Sequence, residues 1–114
     1  MNQRRVLIAD DDPDVVEILT IALEGVGAQV TGVGTGEAAL QCLEQSSYDF
    51  VLLDVRMPGR GGLAVARELA ETHPGLRVVL MTGFAPEVNP EILATGCPVM
   101  RKPFDMRGLL ALLG

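Results

Sequence analysis

Basic residues are scarce in this sequence. Nine lysines and arginines against fifteen aspartates and glutamates leave a net charge of -6 over 114 residues. A phosphate backbone is held mainly by clustered basic side chains, and no basic run here is longer than the pairs Arg4-Arg5 and Arg101-Lys102, so direct nucleic-acid binding is not expected. Long apolar runs are also missing. No stretch approaches the roughly 18 apolar residues that a membrane span needs, and the opening MNQRRVLIADDD meets acid too soon for a secretory signal. The expectation is a soluble, cytoplasmic protein with no membrane partner. The two cysteines, Cys42 and Cys97, are far apart and form no metal-ligand spacing, so both read as reduced, partly buried small hydrophobes. The single histidine, His73, precedes Pro74 at a helix end with nothing nearby to make it a catalytic base. There is no G-x-x-x-x-G-K-[ST], which excludes a P-loop enzyme. In Gly32-Val33-Gly34-Thr35-Gly36 the third glycine comes one residue early for a dinucleotide fingerprint.

What is present is a regular alternation. Hydrophobic residues make up 48% of the chain, enough to bury one compact core, so a single domain over residues 1–114 is expected. Short apolar runs alternate with amphipathic stretches from end to end, the pattern of a parallel sheet covered by helices. The spacing predicts strands over Arg5–Ala9, Gln29–Gly32, Phe50–Asp54, Val78–Thr82 and Val99–Arg101. VLIA, FVLL and VVLM are apolar at successive positions, as strands buried on both faces must be. Val15, Val16, Ile18, Leu19, Ala22 and Leu23 recur at helical spacing behind Asp12 as N-cap and Pro13 at the first helical position. Further helices are predicted over Glu37–Gln45 behind Thr35, Leu63–Thr72 before His73-Pro74-Gly75, and Asp105–Leu113. Pro86 and Pro90 leave room for only a short or irregular fourth helix around Glu91–Thr95. Gly59-Arg60-Gly61-Gly62 reads as a plain turn.

Ligands of such sheets bind outside the carboxyl ends of the strands, so the residues where each strand stops carry the information. Strand one ends in Asp10, Asp11 and Asp12; strand three in Asp54; strand four in Thr82-Gly83; strand five is followed by Lys102-Pro103. If strands one and three are neighbours, carboxylates converge on one edge and repel unless a cation compensates them. Oxygen donors with no His or Cys nearby favour a hard ion, and a few carboxylates with water and a phosphate oxygen suit Mg²⁺ better than a calcium cage. D-D-D-P-D also lacks the alternate spacing, central Gly and terminal Glu of an EF-hand loop. Asp12 is read as an N-cap and not as a ligand. A hydroxyl at Thr82 and a positive charge at Lys102 could hold the oxygens of a phosphoryl group carried by Asp54.

These residues resemble the receiver domains of two-component signalling, the CheY-like family, over nearly the whole chain. V-L-I-A-D-D-D-P is similar to the family's first strand and acidic pair, which implies metal binding by Asp10 and Asp11. Y-D-F-V-L-L-D-V-R-M-P-G is similar to the segment around the phosphoacceptor, which makes Asp54 that residue and the backbone carbonyl of Arg56 a further metal ligand. V-V-L-M-T-G-F implies a switch hydroxyl at Thr82, and R-K-P-F a phosphate-binding role for Lys102 with a cis bond to Pro103. The resemblance further implies a five-stranded, doubly wound α/β sheet in the order 2-1-3-4-5. With it come a Mg²⁺ cofactor and a histidine kinase or phosphotransfer protein as donor. Two departures stand out: Val99 occupies a position that is commonly aromatic, and the segment between Thr82 and Lys102 is short and holds Pro86 and Pro90 among its three prolines.

Two other function classes compete. Haloacid-dehalogenase-like phosphatases present a second Asp two residues after the nucleophile as general acid; here that residue is Arg56, and no cap domain is in evidence. A pseudo-receiver would keep the fold as an interaction module without being phosphorylated. The set Asp10, Asp11, Asp54, Thr82 and Lys102 argues against it.

Overall fold

The computed structural model describes residues 4–83, 90–102 and 106–113. Along the chain run β1 (Arg5–Ala9), α1 (Pro13–Glu24), β2 (Gln29–Val33), α2 (Gly36–Gln45) and β3 (Phe50–Asp54). They are followed by α3 (Gly62–Thr72), β4 (Arg77–Thr82), α4 (Pro90–Ala94), β5 (Val99–Arg101) and α5 (Met106–Leu113). All five strands pair in parallel in the order β2-β1-β3-β4-β5, so the doubly wound α/β sheet expected from the sequence is the observed one.

Successive side chains of a strand point to opposite faces, and this period divides the core in two. Leu7, Ala9, Val51, Leu53 and Leu80 face Ala39 and Leu43 of α2, Val65, Ala66 and Leu69 of α3, and Ile92 of α4. Val6, Ile8, Phe50, Leu52, Val79 and Met81 face Leu19 and Leu23 of α1 and Leu109 of α5. Strand β3 sits in the middle and is buried at every residue, whereas β2 lies at the sheet edge and has no fully buried residue. That difference is why the FVLL run is unbroken and β2 is mixed. Cys42, Cys97 and Val99 are half-buried against the α2–α3–α4 cluster, and both cysteines are free thiols.

Helix starts follow local chemistry. The Asp12 side chain accepts from the Asp14 N–H at 3.0 Å, with Pro13 opening α1; Thr35 accepts from the Ala38 N–H at 3.1 Å ahead of α2. The predicted boundaries move by about one residue. Val33 extends β2 because it still pairs with Ala9, and Arg77 joins β4 because it pairs with Phe50. Helix α4 is a single short stretch of five residues, opened by Pro90 and followed by Gly96 in the left-handed region at φ +69°. The Lys102-Pro103 bond and the start of the last helix at Asp105 lie outside the described residues. Among the described residues no helix is long and apolar enough to cross a membrane.

Candidate functional site

The pairing of β1 with β3 runs to Ala9 opposite Leu53, so the next residues of the two strands, Asp10 and Asp54, leave the sheet side by side. Asp54 in turn pairs with Met81, which puts Thr82 one residue further along β4. Lys102 follows β5, and its backbone N–H donates to the Thr82 carbonyl at 2.8 Å. Four chain segments distant in sequence thus end at one edge of the sheet. Among the described residues, the buried polar and charged side chains are Asp10, Asp54 and Thr82, at 1%, 7% and 2% exposure. Burial of carboxylates is costly unless they are paired, so this edge is where the fold departs from simple packing.

Lys102 supplies the pairing. Its ammonium donates to Asp10 Oδ2 at 2.7 Å and stands 3.5 Å from Asp54 Oδ1. Burial pushes the Lys102 pKa down, but the bond to Asp10 and the charges of Asp54 and Asp10 outweigh it and hold the ammonium above its ordinary value. Asp10 also accepts from the Asp12 N–H at 2.9 Å through its other oxygen. Asp54 is less well supported: the Arg56 N–H reaches Oδ1 only at 3.4 Å. Burial first, and then the charge of Asp10, raise its pKa to about 6 against the pull of Lys102. One lysine therefore serves two buried carboxylates and leaves negative charge uncompensated.

A third carboxylate, the exposed Asp11, completes the cluster. Asp10, Asp11 and Asp54 each offer an oxygen within 4.8 Å of the others. Oxygen donors of this number and charge fit a hard divalent cation. Asp12, by contrast, spends its side chain on the α1 N-terminus, as its N-cap reading required.

The β3–α3 loop closes the site from one side. A Cβ on Gly62 would lie 2.1 Å from the Asp54 carbonyl oxygen, so only glycine lets α3 start against the end of β3. The Gly62 N–H donates to the Val55 carbonyl at 3.1 Å, and Met57 is buried in the α2–α3–α4 core. Of the run read as a plain turn, Gly59, Arg60 and Gly61 lie in the loop, whereas Gly62 is the first residue of α3 and is packed on the backbone of the acidic strand end. A glycine eight residues after a strand-terminal aspartate was the available signal.

Residues 6–113 match the family model of the response regulator receiver domain. The chain belongs to the response regulator receiver family. This receiver is similar to the response regulator receiver protein CpdR of Brucella abortus, 36% identical over 109 residues, covering 94% of this chain and 91% of that protein. It is also similar to the DNA-binding response regulator MtrA of Mycolicibacterium smegmatis, 35% identical over 111 residues and 96% of this chain, but spans only 48% of that longer regulator. Among solved structures, the response regulator TrrA of Thermotoga maritima in complex with Mg²⁺ and beryllofluoride superposes with a TM-score of 0.89 at 28% identity. The alignment covers 97% of this receiver and 96% of that chain. A CheY-like receiver domain protein of Methanospirillum hungatei gives 0.90 at 26% identity, covering 98% and 91%. Two-component signalling is thus the setting of this receiver's acidic edge.

Proposed function

We propose that this receiver accepts a phosphoryl group on Asp54 from the phosphohistidine of a histidine kinase or phosphotransfer protein. The observation that carries the reading is the convergence of Asp10, Asp11 and Asp54 with the Lys102 ammonium at the carboxyl edge of the sheet. Mg²⁺ would be held by Asp10, Asp11, Asp54 and the backbone carbonyl of Arg56. The all-oxygen donor set and the uncompensated charge at Asp54 support that fit. Bound there, the ion neutralises the carboxylates and offsets charge on the phosphoryl oxygens.

A carboxylate oxygen of Asp54 forms the new O–P bond as the donor's N–P bond breaks, and the released electron pair stays on the imidazole nitrogen. Asp54 must be ionised to attack. Lys102, 3.5 Å from Asp54 Oδ1, is placed to meet a phosphoryl oxygen with a charge-assisted bond. The Thr82 hydroxyl, at the end of the neighbouring strand, is proposed as a second donor whose engagement reports the phosphorylated state to β4 and β5. Hydrolysis of the acyl phosphate returns the domain to its starting state, so the chemistry serves regulation and not metabolism. On this reading residues 1–114 form one cytoplasmic receiver domain acting on a separate partner or an attached output domain, without contacting nucleic acid itself. The extensive match to CpdR and the partial match to MtrA are compatible with either arrangement.

The test is intact mass after incubation with acetyl phosphate, with and without Mg²⁺, for wild type and Asp54→Asn. One added phosphoryl group in the wild type, dependent on Mg²⁺ and absent from the variant, is the expected result. If no adduct forms and beryllofluoride does not bind either, the chain is a pseudo-receiver that acts through its surface alone.

A further inference from the structure

Glu37 stands exposed in the first turn of α2, 23 residues before Arg60, yet its carboxylate holds the loop that leaves Asp54. Glu37 Oε1 accepts from the Arg60 backbone N–H at 3.2 Å. The same oxygen would lie 3.1 Å from a Cβ built on Gly59, whose φ of +74° already selects glycine. A Cβ on the adjacent Gly36 would come within 2.8 Å of the Arg60 carbonyl oxygen, so α2 and the loop touch backbone to backbone. The Arg60 guanidinium extends the tie to α3 through Glu68 Oε1 at 2.8 Å. At its origin the loop is fixed by Gly62 against Asp54 and Val55, and Met57 is buried. Arg56 is exposed and lies in this loop between Val55 and the buried Met57, four residues before the Arg60 N–H that Glu37 holds.

We propose that Glu37 is a positioning residue for the metal site: from α2 it fixes the β3–α3 loop so that the Arg56 carbonyl is in place before the cation arrives. The inference rests on the reading of that carbonyl as a ligand. A loop ordered in advance spends none of the binding free energy on being ordered. The carboxyl of Glu37 is held below its ordinary pKa by its own backbone N–H and then by that of Arg60, in keeping with an acceptor in use. The plainer alternative is that Glu37 only complements the positive end of the α2 dipole. Under that alternative its loss lowers stability and leaves cation binding unchanged.

The experiment is a Mg²⁺ titration of the full chain followed by amide NMR, with exchange of the Arg60 amide measured in the metal-free protein. The variants are Glu37→Ala, Glu37→Gln and, as a control on the same helix, the exposed Glu44→Ala. Positioning predicts that Glu37→Ala weakens Mg²⁺ binding about three- to tenfold, the worth of one hydrogen bond, and speeds Arg60 exchange. Glu37→Gln keeps an acceptor for the Arg60 N–H and should stay within about twofold of wild type in both measurements, as should Glu44→Ala. Wild-type affinity in Glu37→Ala overturns the proposal. Equal losses in Glu37→Ala and Glu37→Gln also overturn it, since they assign the effect to charge alone. A wild type that binds no Mg²⁺ sinks the functional reading and the inference with it, and is distinguished by failing before any substitution is made.

Discussion

Asp54 is the residue at which the metal-free fold works against itself. Its carboxyl is buried beside Asp10 and is raised to about 6, so between the ordinary carboxylate range and that value the folded protein binds more protons than the unfolded chain. The contribution of this group to stability therefore falls as pH rises through that window, and above it the full cost of the ionised side chain is carried. Asp54→Asn is expected to stabilise the metal-free protein by about 1–2 kcal/mol at pH 7 and to confer no gain near pH 4, as measured by urea unfolding at both values. An equal effect at both pH values would mean that the gain comes from packing and not from charge. Lys102 cannot remove the cost, because its 2.7 Å bond goes to Asp10 and it only reaches 3.5 Å from Asp54.

At the scale of elements, the acidic edge depends on how closely α3 abuts β3. Gly62 makes that approach possible, since an added Cβ would meet the Asp54 carbonyl oxygen at 2.1 Å and neighbouring backbone at 2.8 Å. Backbone cannot move aside as a flexible side chain can. Gly62→Ala should cost about 3 kcal/mol or more in urea unfolding and displace the Asp54 and Val55 amide resonances. Gly75→Ala, with no atom within 4 Å of its added Cβ, is the matching control and should leave those resonances in place. Helix α4 is the contrasting element. It has five residues and its buried anchor Ile92, against eleven residues and the buried face Val65, Ala66 and Leu69 for α3.

For the whole molecule, a cation bound at the proposed site would be linked to global stability, because Asp10, Asp11, Asp54 and Lys102 are assembled from the ends of three strands and disperse on unfolding. A cation that binds only the folded form stabilises it by mass action: at 100 times Kd, Mg²⁺ should raise the unfolding free energy by about 2.7 kcal/mol. Thermal unfolding across a Mg²⁺ series should show this rise in wild type and a much smaller one in Asp10→Asn. A flat wild-type curve would mean that the carboxylates do not bind the ion. The two-sided core lets the edge carry such charge: Leu7, Val51 and Leu53 on one face and Ile8, Leu52 and Val79 on the other hold the strands in register while their ends stay polar.

Much of this was legible in the chain itself. Strands follow from short apolar runs and helices from a period of 3.6 residues, the helix starts from Asp12, Pro13 and Thr35, and the burial of β3 on both faces from the unbroken apolar run of Phe50–Leu53. The candidate site was legible as a list of strand ends, because a parallel sheet must expose its chemistry there. Only the tertiary structure decided which of those ends meet and how they share charge. It pairs Lys102 with Asp10 across 92 residues and leaves Asp54 the poorer partner. It also ties Glu37 to Arg60 across 23 residues and sets Gly62 on the Asp54 backbone. The physical reason is range: periodicity and capping are written in neighbours, whereas a contact between distant residues exists only once the sheet order and register have brought them together.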